Sequence, residues 1–436
     1  MAVDAIVVGA GCAGFAAATA LADAGARVLV LEARPGLGGR ATAFTDPSTG
    51  ERVDNGQHIL MGCYADTLQF LDRIGTRDRV RWQTGLRASM VDRRGHFTTL
   101  SLPPVPSPLH FLGGVLAWDA LSASEKLSVL RIGSMLSSSS AGAGEGRSVR
   151  RWLEEHGQAP RLCELFWEPL ALAALNQSID QAEAAHFIRV LERVFAPDPA
   201  AAALVLPAVP LDELYAEPSR AYLEARGSDV RTHAAARVVV EGDRVAGVRV
   251  RDEFIPSPTV ISTVPWFGFA SAFDEMPAAL GDVADNAAGL ASLPIVTVNL
   301  WFDRAVLDEP LIGLPARNFQ WVFDRRAIVG GDVSHLSLIS SGAETIVSMT
   351  NDALTEMACL ELRDALPSAR AARLRKAVVV REKRSTFSLA PDAPPRPGTR
   401  TPIEGLLLAG DWIETGLPAT IESAVISGHR AADIAT

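Results

Sequence analysis

Residues 4–34, DAIVVGAGCAGFAAATALADAGARVLVLEAR, carry the pattern that decides the fold. Asp4 to Val8 is a short β-branched run, suited to a strand. Gly9, Gly11 and Gly14 follow as GxGxxG, Ala16 to Leu21 is small and helical, and Gly25 ends that helix. Arg27 to Leu31 is a second strand, closed by Glu32. In such a unit the first glycine permits the turn, the second admits a pyrophosphate to the backbone, and the third lets helix pack on strand. The helix start, with Cys12 and Ala13, offers free N–H groups and positive potential to phosphates. Glu32 can accept both hydroxyls of an adenosine ribose. The unit predicts a Rossmann-type dinucleotide-binding domain. It does not separate NAD from FAD.

The next residues do. After Glu32 and Ala33 comes RPGLGGRA, with Arg34, Gly38, Gly39 and Arg40. This second glycine pair gives further close backbone approach, and its arginine is a cation for the pyrophosphate. NAD-dependent domains lack the extension. At the other end, GLLLAGDWIETGLPATIESAVISGHRAADIA reads as a buried strand (Leu406 to Ala409), the Gly410–Asp411 pair, a loop through Leu417, and a helix from about Ala419. Asp411 is placed to accept a ribityl hydroxyl. The helix start near Thr420 and Ile421 aims N–H groups at the pyrimidine end of a flavin, which gains negative charge on reduction. FAD is the expected cofactor, dissociable because no cysteine stands near this motif.

These segments resemble the flavin-binding parts of the amine oxidase and phytoene desaturase superfamily. The resemblance implies an α/β fold in which a Rossmann-type FAD domain is interleaved with an α+β substrate domain. The expected division is 1–64, 208–265 and 395–436 for the FAD domain. Residues 65–207 form a mainly helical substrate and membrane-contact region, and 266–394 a substrate domain with an antiparallel sheet. SSSSAGAGEG (Ser137 to Gly146) reads as a loop between helices. The resemblance also implies that backbone near Val238 lies by the adenine.

Amine oxidases carry an aromatic where this chain has Thr420, and a lysine in a central strand that reads here as LPIVTVNLWFD, without one. That branch is disfavoured. VDNGQHILMGCY (Val53 to Tyr64), FWEPLALAALN (Phe166 to Asn176) and GDWIETGLPATIESAV together resemble the hydroxysqualene dehydroxylase family, the squalene-associated FAD-dependent enzymes of hopanoid biosynthesis. This implies reductive loss of the hydroxyl of an allylic C30 alcohol, with hydride from reduced flavin N5 and a proton donor for the leaving hydroxyl. A carotenoid desaturase of the phytoene type is the alternative, and a non-catalytic flavin-binding partner of a prenyl synthase a further one. By the same resemblance, Gln57 and His58 face the flavin ring while Asp54 and Gly56 shape the turn. His58 is the first choice of general acid, since the histidine pKa range suits proton transfer near neutrality. Asp54 and Glu168 are alternative acids, Tyr64 and Cys63 weaker ones.

Composition bounds the rest. The chain has 436 residues, 48% hydrophobic and 21% charged, as a folded globular protein does. Its net charge of −10 argues against a nucleic-acid surface. Cys12, Cys63, Cys163 and Cys359 are dispersed, without metal-ligand spacing, and no metal is expected. The N-terminus does not read as a signal peptide, and no apolar run reaches the ~20 residues that span a bilayer. A cytoplasmic protein peripherally attached to the inner face of the cell membrane is expected. The attachment is assigned to PLHFLGGVLAWDAL (Pro108 to Leu121), through Leu109, Leu112, Leu116 and Trp118. An upstream prenyl synthase is a candidate partner.

Overall fold

The computed structural model describes residues 3–106, 109–136, 144–330 and 334–436. Five parallel strands form one sheet, in the order Asp229–Arg231, Val28–Leu31, Ala5–Val8, Val260–Ser262 and Leu406–Leu408. They come from three separated stretches of chain. Ala5–Val8 and Val28–Leu31 are unbroken apolar runs because both faces of this sheet are covered. Ile6, Val8, Leu29 and Leu31 face one core, while Ala5, Val7, Val28 and Val30 face another shared with the Cys12–Asp23 helix.

The C-terminal helix, Ile421–Ala435, packs on that first helix. The contact is close enough that a Cβ on Gly428 would stand 2.3 Å from the carbonyl oxygen of Ala13. A glycine inside a helix costs about 1 kcal/mol relative to alanine. Here no other residue leaves room for the neighbouring backbone.

The second sheet has seven strands: Leu374–Phe387, Ser292–Phe302, Ser334–Ser340, Trp321–Asp324, Leu311–Gly313, Arg87–Val91 and Phe97–Ser101. All neighbours are antiparallel except Leu311–Gly313 with Arg87–Val91. The last two strands lie within 65–207, whose other described elements are mostly helices. FTTLS alternates in burial, while RASMV is buried throughout after Arg87, and the two are joined by a tight turn in which Arg94 and His96 donate backbone N–H bonds to the Asp92 carboxylate. That period-two signal is short and lies between long helical segments. Of the serine-rich loop, residues 137–143 lie outside the described residues.

One boundary and one burial assignment also change. The C-terminal helix starts at Ile421, with Thr420 as its cap, its hydroxyl accepting from the Ser423 N–H at 3.1 Å. Trp118 is not a surface residue. It is 1% exposed, and its indole donates to Thr98 Oγ1 at 2.8 Å.

Candidate active site and cofactor cavity

One cavity of about 680 Å3 runs from the glycine-rich turn to the second sheet. At its nucleotide end each fingerprint glycine has a distinct spatial role. Gly9 is at φ +110, with Thr263 Oγ1 2.5 Å from where a Cβ would be. A Cβ on Gly14 would stand 2.0 Å from the Gly9 carbonyl oxygen. A Cβ on Gly11 would meet nothing within 4 Å, and it opens on the cavity at the start of a helix that no side chain caps. This is an open cradle beside free N–H groups, the arrangement a pyrophosphate needs.

Glu32, 7% exposed, is held by the Ala10 N–H on Oε2 and the Arg34 N–H on Oε1, both at 2.9 Å. Each oxygen keeps a lone pair for a ribose hydroxyl. Ala33, Gly38 and Gly39 also line this end. Val238 does not. It is buried in the core, and the cavity wall there is Ala235 and Ala236.

Arg40 is not a free cation. Its Nη2 lies 2.6 Å from Asp411 Oδ1 and its Nη1 donates to the Ser385 carbonyl at 2.7 Å, joining the two ends of the chain across the cavity wall. Gly410, Asp411, Leu417, Thr420 and Ile421 all border the same space. Tyr215 supports the extension from behind, its hydroxyl lying 2.6 Å from the Gly38 carbonyl oxygen and 2.7 Å from that of Ala41. No spacing in the sequence ties residue 215 to this loop.

In the middle of the cavity stands His58. Its Nδ1 lies 3.0 Å from the Gly56 carbonyl oxygen, which can only accept, so the neutral ring carries its proton on Nδ1 and leaves Nε2 as a lone pair. Burial pulls its pKa below the usual 6.5, the Gly56 carbonyl and the Asp54 charge oppose this, and Arg40 adds to the lowering. At neutral pH the ring is therefore mostly uncharged.

The other proposed acids stand elsewhere. Asp54, 4% exposed, is salt-bridged to Arg325 at 2.7 Å and is no part of the cavity wall. Gln57 does line the cavity beside His58, as expected, but its amide is engaged, Nε2 donating to Asp54 Oδ2 at 3.1 Å and Oε1 accepting from Arg325 at 2.8 Å. Glu168 turns away from the cavity, accepting the Ile179 N–H at 2.9 Å. The π-helical turn Cys163–Trp167 that precedes it sends Phe166 to the wall instead.

Cys63, Tyr64, Arg193, Glu382 and Glu422 are further titratable groups on the cavity wall. Burial pushes the Cys63 thiol up to about 11 and the Tyr64 phenol well above its ordinary range, so both stay protonated. Glu422, which the sequence reading missed, is 1% exposed on the wall. It accepts from Thr67 N and Oγ1 at 2.9 and 2.7 Å, and burial raises its pKa. Beyond His58 the walls are largely apolar, among them Met90, Leu170, Val190, Phe195, Leu204 and Phe323, with Asn176, Arg193 and Ser341 as polar members. Among the described residues, no lysine lines the cavity.

The sequence matches the family model for flavin-containing amine oxidoreductases over residues 12–436. The chain belongs to this family. It is an FAD-dependent oxidoreductase, and the open cradle at Gly11, the two Glu32 lone pairs and the uncapped helix start fit that cofactor. The fold is similar to an oxidoreductase from Methanosarcina mazei (17% identity, TM-score 0.76, 99% of this chain and 100% of that one). It is similar also to a putrescine oxidase (17%, TM-score 0.75, 100% and 99%).

Among characterised relatives, the chain is 26% identical to a hydroxysqualene dehydroxylase of Sinorhizobium fredii, over 98% of this chain and 97% of that protein. It is 25% identical to the 15-cis-phytoene desaturase of Synechococcus elongatus, over 98% and 94%. With the Glycine max 15-cis-phytoene desaturase it shares 26%, over 98% of this chain and 78% of that one. Among the described residues, no helix is long and apolar enough to cross a membrane.

Proposed function

We propose that this oxidoreductase reductively dehydroxylates a C30 allylic alcohol, hydroxysqualene, to squalene. The observation that carries the reading is the single cavity in which a flavin-binding groove, one histidine and a long apolar chamber follow one another. The near-complete length match to the Sinorhizobium fredii dehydroxylase supports it.

The reaction exchanges C–OH for C–H: the carbon gains a hydride, and the hydroxyl takes a proton and leaves as water. Reduced FAD, when bound, supplies the hydride. The protein's own part is to desolvate the polyene against the apolar walls, exclude water, and hold a proton beside the departing oxygen. His58 in its charged form, or the always-protonated Tyr64, provides that proton. The test is anaerobic incubation of dithionite-reduced protein with hydroxysqualene or phytoene, followed by product identification. Squalene from the first substrate is the expected result. No squalene, together with desaturated products from phytoene and oxidised protein, would replace this reading with a carotenoid desaturase.

A hydrocarbon of this size is almost insoluble, so the proposal includes contact with a lipid surface at the cytoplasmic face. The helix Leu109–Ala117 is the contact. Its inner side presses Phe111 on Phe195 and Phe166 of the chamber wall, with ring centroids 4.4 and 5.6 Å apart. Its outer side bares Leu109 and Leu116, 61% and 53% exposed and two turns apart, beside Leu127 at 60% on the next helix. Leu112 is half-buried and Trp118 plays no part. Leu109→Asp with Leu116→Asp should cut liposome co-sedimentation at least about tenfold while leaving the flavin spectrum unchanged. Undiminished binding would assign the contact to another surface. A prenyl synthase that supplies the substrate remains the proposed partner.

A further inference from the structure

The turn that carries His58 is held by a residue outside every motif discussed so far. Arg325, 6% exposed, lies at the start of the short helix Arg325–Val329, directly after the strand Trp321–Asp324. Its Nη1 lies 2.7 Å from Asp54 Oδ2 and 2.8 Å from Gln57 Oε1. Gln57 Nε2 returns to the same Asp54 oxygen at 3.1 Å, and Asp54 Oδ1 accepts the Leu211 N–H at 3.1 Å. The three side chains thus close a ring, with the amide oxygen toward the cation and the amide hydrogens toward the anion. The helix that bears Arg325 is itself fixed, since Asp324 caps it through the Arg326 N–H at 2.9 Å.

A buried ion pair of this kind adds little net stability, because desolvating both charges offsets their attraction. What it supplies is direction. We propose that Arg325 is a positioning residue for His58: it reaches from the substrate-side sheet to the Asp54–His58 turn and holds the turn so that the ring faces the cavity. This rests on the reading of that turn as the reaction-side wall. Two features support it. Gly56, whose carbonyl oxygen meets His58 Nδ1, lies inside the ring's span from Asp54 to Gln57. Trp321 and Phe323, on the strand leading to Arg325, are themselves chamber wall. The floor of the chamber and the flavin-side turn are therefore tied through one guanidinium. The charges that act on the His58 ring are those of Asp54 and Arg40, so Arg325, by pairing Asp54, also sets how much of that negative charge His58 feels.

Arg325→Met alone would strand a buried carboxylate at a cost to folding, so the decisive variant is Asp54→Asn with Arg325→Met, which removes both charges. The holoprotein, with 15N-labelled histidine and the His58 signals assigned by loss in His58→Ala, is read by NMR for the ring tautomer, and its flavin content by absorbance. The wild-type ring should show the proton on Nδ1, as the bond to Gly56 requires. The double variant should keep its flavin but shift His58 to a mixture with the Nε2–H form. Its kcat should drop on the order of 10- to 100-fold, the range that small misplacement costs, with KM little changed. A folded, flavin-loaded double variant that keeps the Nδ1–H pattern would overturn the proposal. The tautomer is read without substrate, so this outcome stands apart from whether hydroxysqualene is the substrate.

Discussion

Gly14→Ala should yield a protein that cannot retain FAD. The new methyl carbon would sit 2.0 Å from the Gly9 carbonyl oxygen and 3.2 Å from Thr263 Oγ1, in a helix that also bears the C-terminal helix on its other side through Gly428 and Ala13. Neither backbone can yield alone, so the Cys12–Asp23 helix must lift from the sheet and its start no longer points into the cradle. Overpacking of this kind costs about 1–3 kcal/mol, and the middle of that range, about 2 kcal/mol, corresponds to a roughly thirtyfold loss in FAD retention. Gly11→Ala is the informative contrast. Its methyl meets no protein atom within 4 Å, so the apoprotein should melt as the wild type does while FAD binds more weakly, because the methyl fills the cradle itself. Flavin absorbance after purification and the melting temperature of the apoprotein separate the two. A Gly14→Ala protein that is fully yellow and melts normally would contradict the packing described here.

His58→Ala should slow product formation by ~10²–10⁴-fold, the usual contribution of a positioned acid or base, with flavin retained. The pH profile identifies the donor. Burial holds the folded-state pKa of His58 below 6.5, so its charged form accumulates only as pH falls beneath that value. A rate carried by protonated His58 should therefore climb from neutrality down to about pH 5, and His58→Ala should abolish the climb. If Tyr64 is the donor, its phenol is protonated throughout and the profile stays flat between about pH 5 and 9. Tyr64→Phe would then carry the large loss. The two variants, each profiled against pH, leave one donor standing. The same burial makes the ring a liability in acid, since the unfolded chain takes up the proton first. The stability that neutral His58 allows is complete above the unfolded value and declines as pH falls through the window below 6.5.

How much of this was legible depends on whether a residue acts through its own backbone or through a distant partner. The GxGxxG glycines, Glu32, the Gly38–Arg40 extension and the Gly410–Ile421 segment were readable because turn geometry, helix starts and strand ends are local. A glycine with φ +110, or a helix with no cap, announces itself within a few positions. The same holds for the absent lysine in Ser292–Phe302, since a residue missing from a strand cannot be supplied by folding.

Side-chain direction was not legible. Asp54, Gln57, Glu168 and Trp118 were singled out by type and place in a motif, yet Arg325 claims the first two, the Ile179 N–H the third and Thr98 the fourth. Those partners stand as far as 271 positions away in the chain. Burial, which lowers the His58 pKa and keeps Tyr64 and Cys63 protonated, is likewise the sum of elements from every part of the chain.

The sequence by itself thus determined the cofactor class, the parallel sheet that presents it and the turn that bears His58, because each follows from short-range steric and hydrogen-bonding rules. Only the tertiary structure decided which polar groups reach the cavity, which are spent on one another, that Glu422 stands on the wall and that Arg325 pairs with Asp54. Those outcomes depend on contacts between residues that the chain keeps far apart, and no local pattern encodes them.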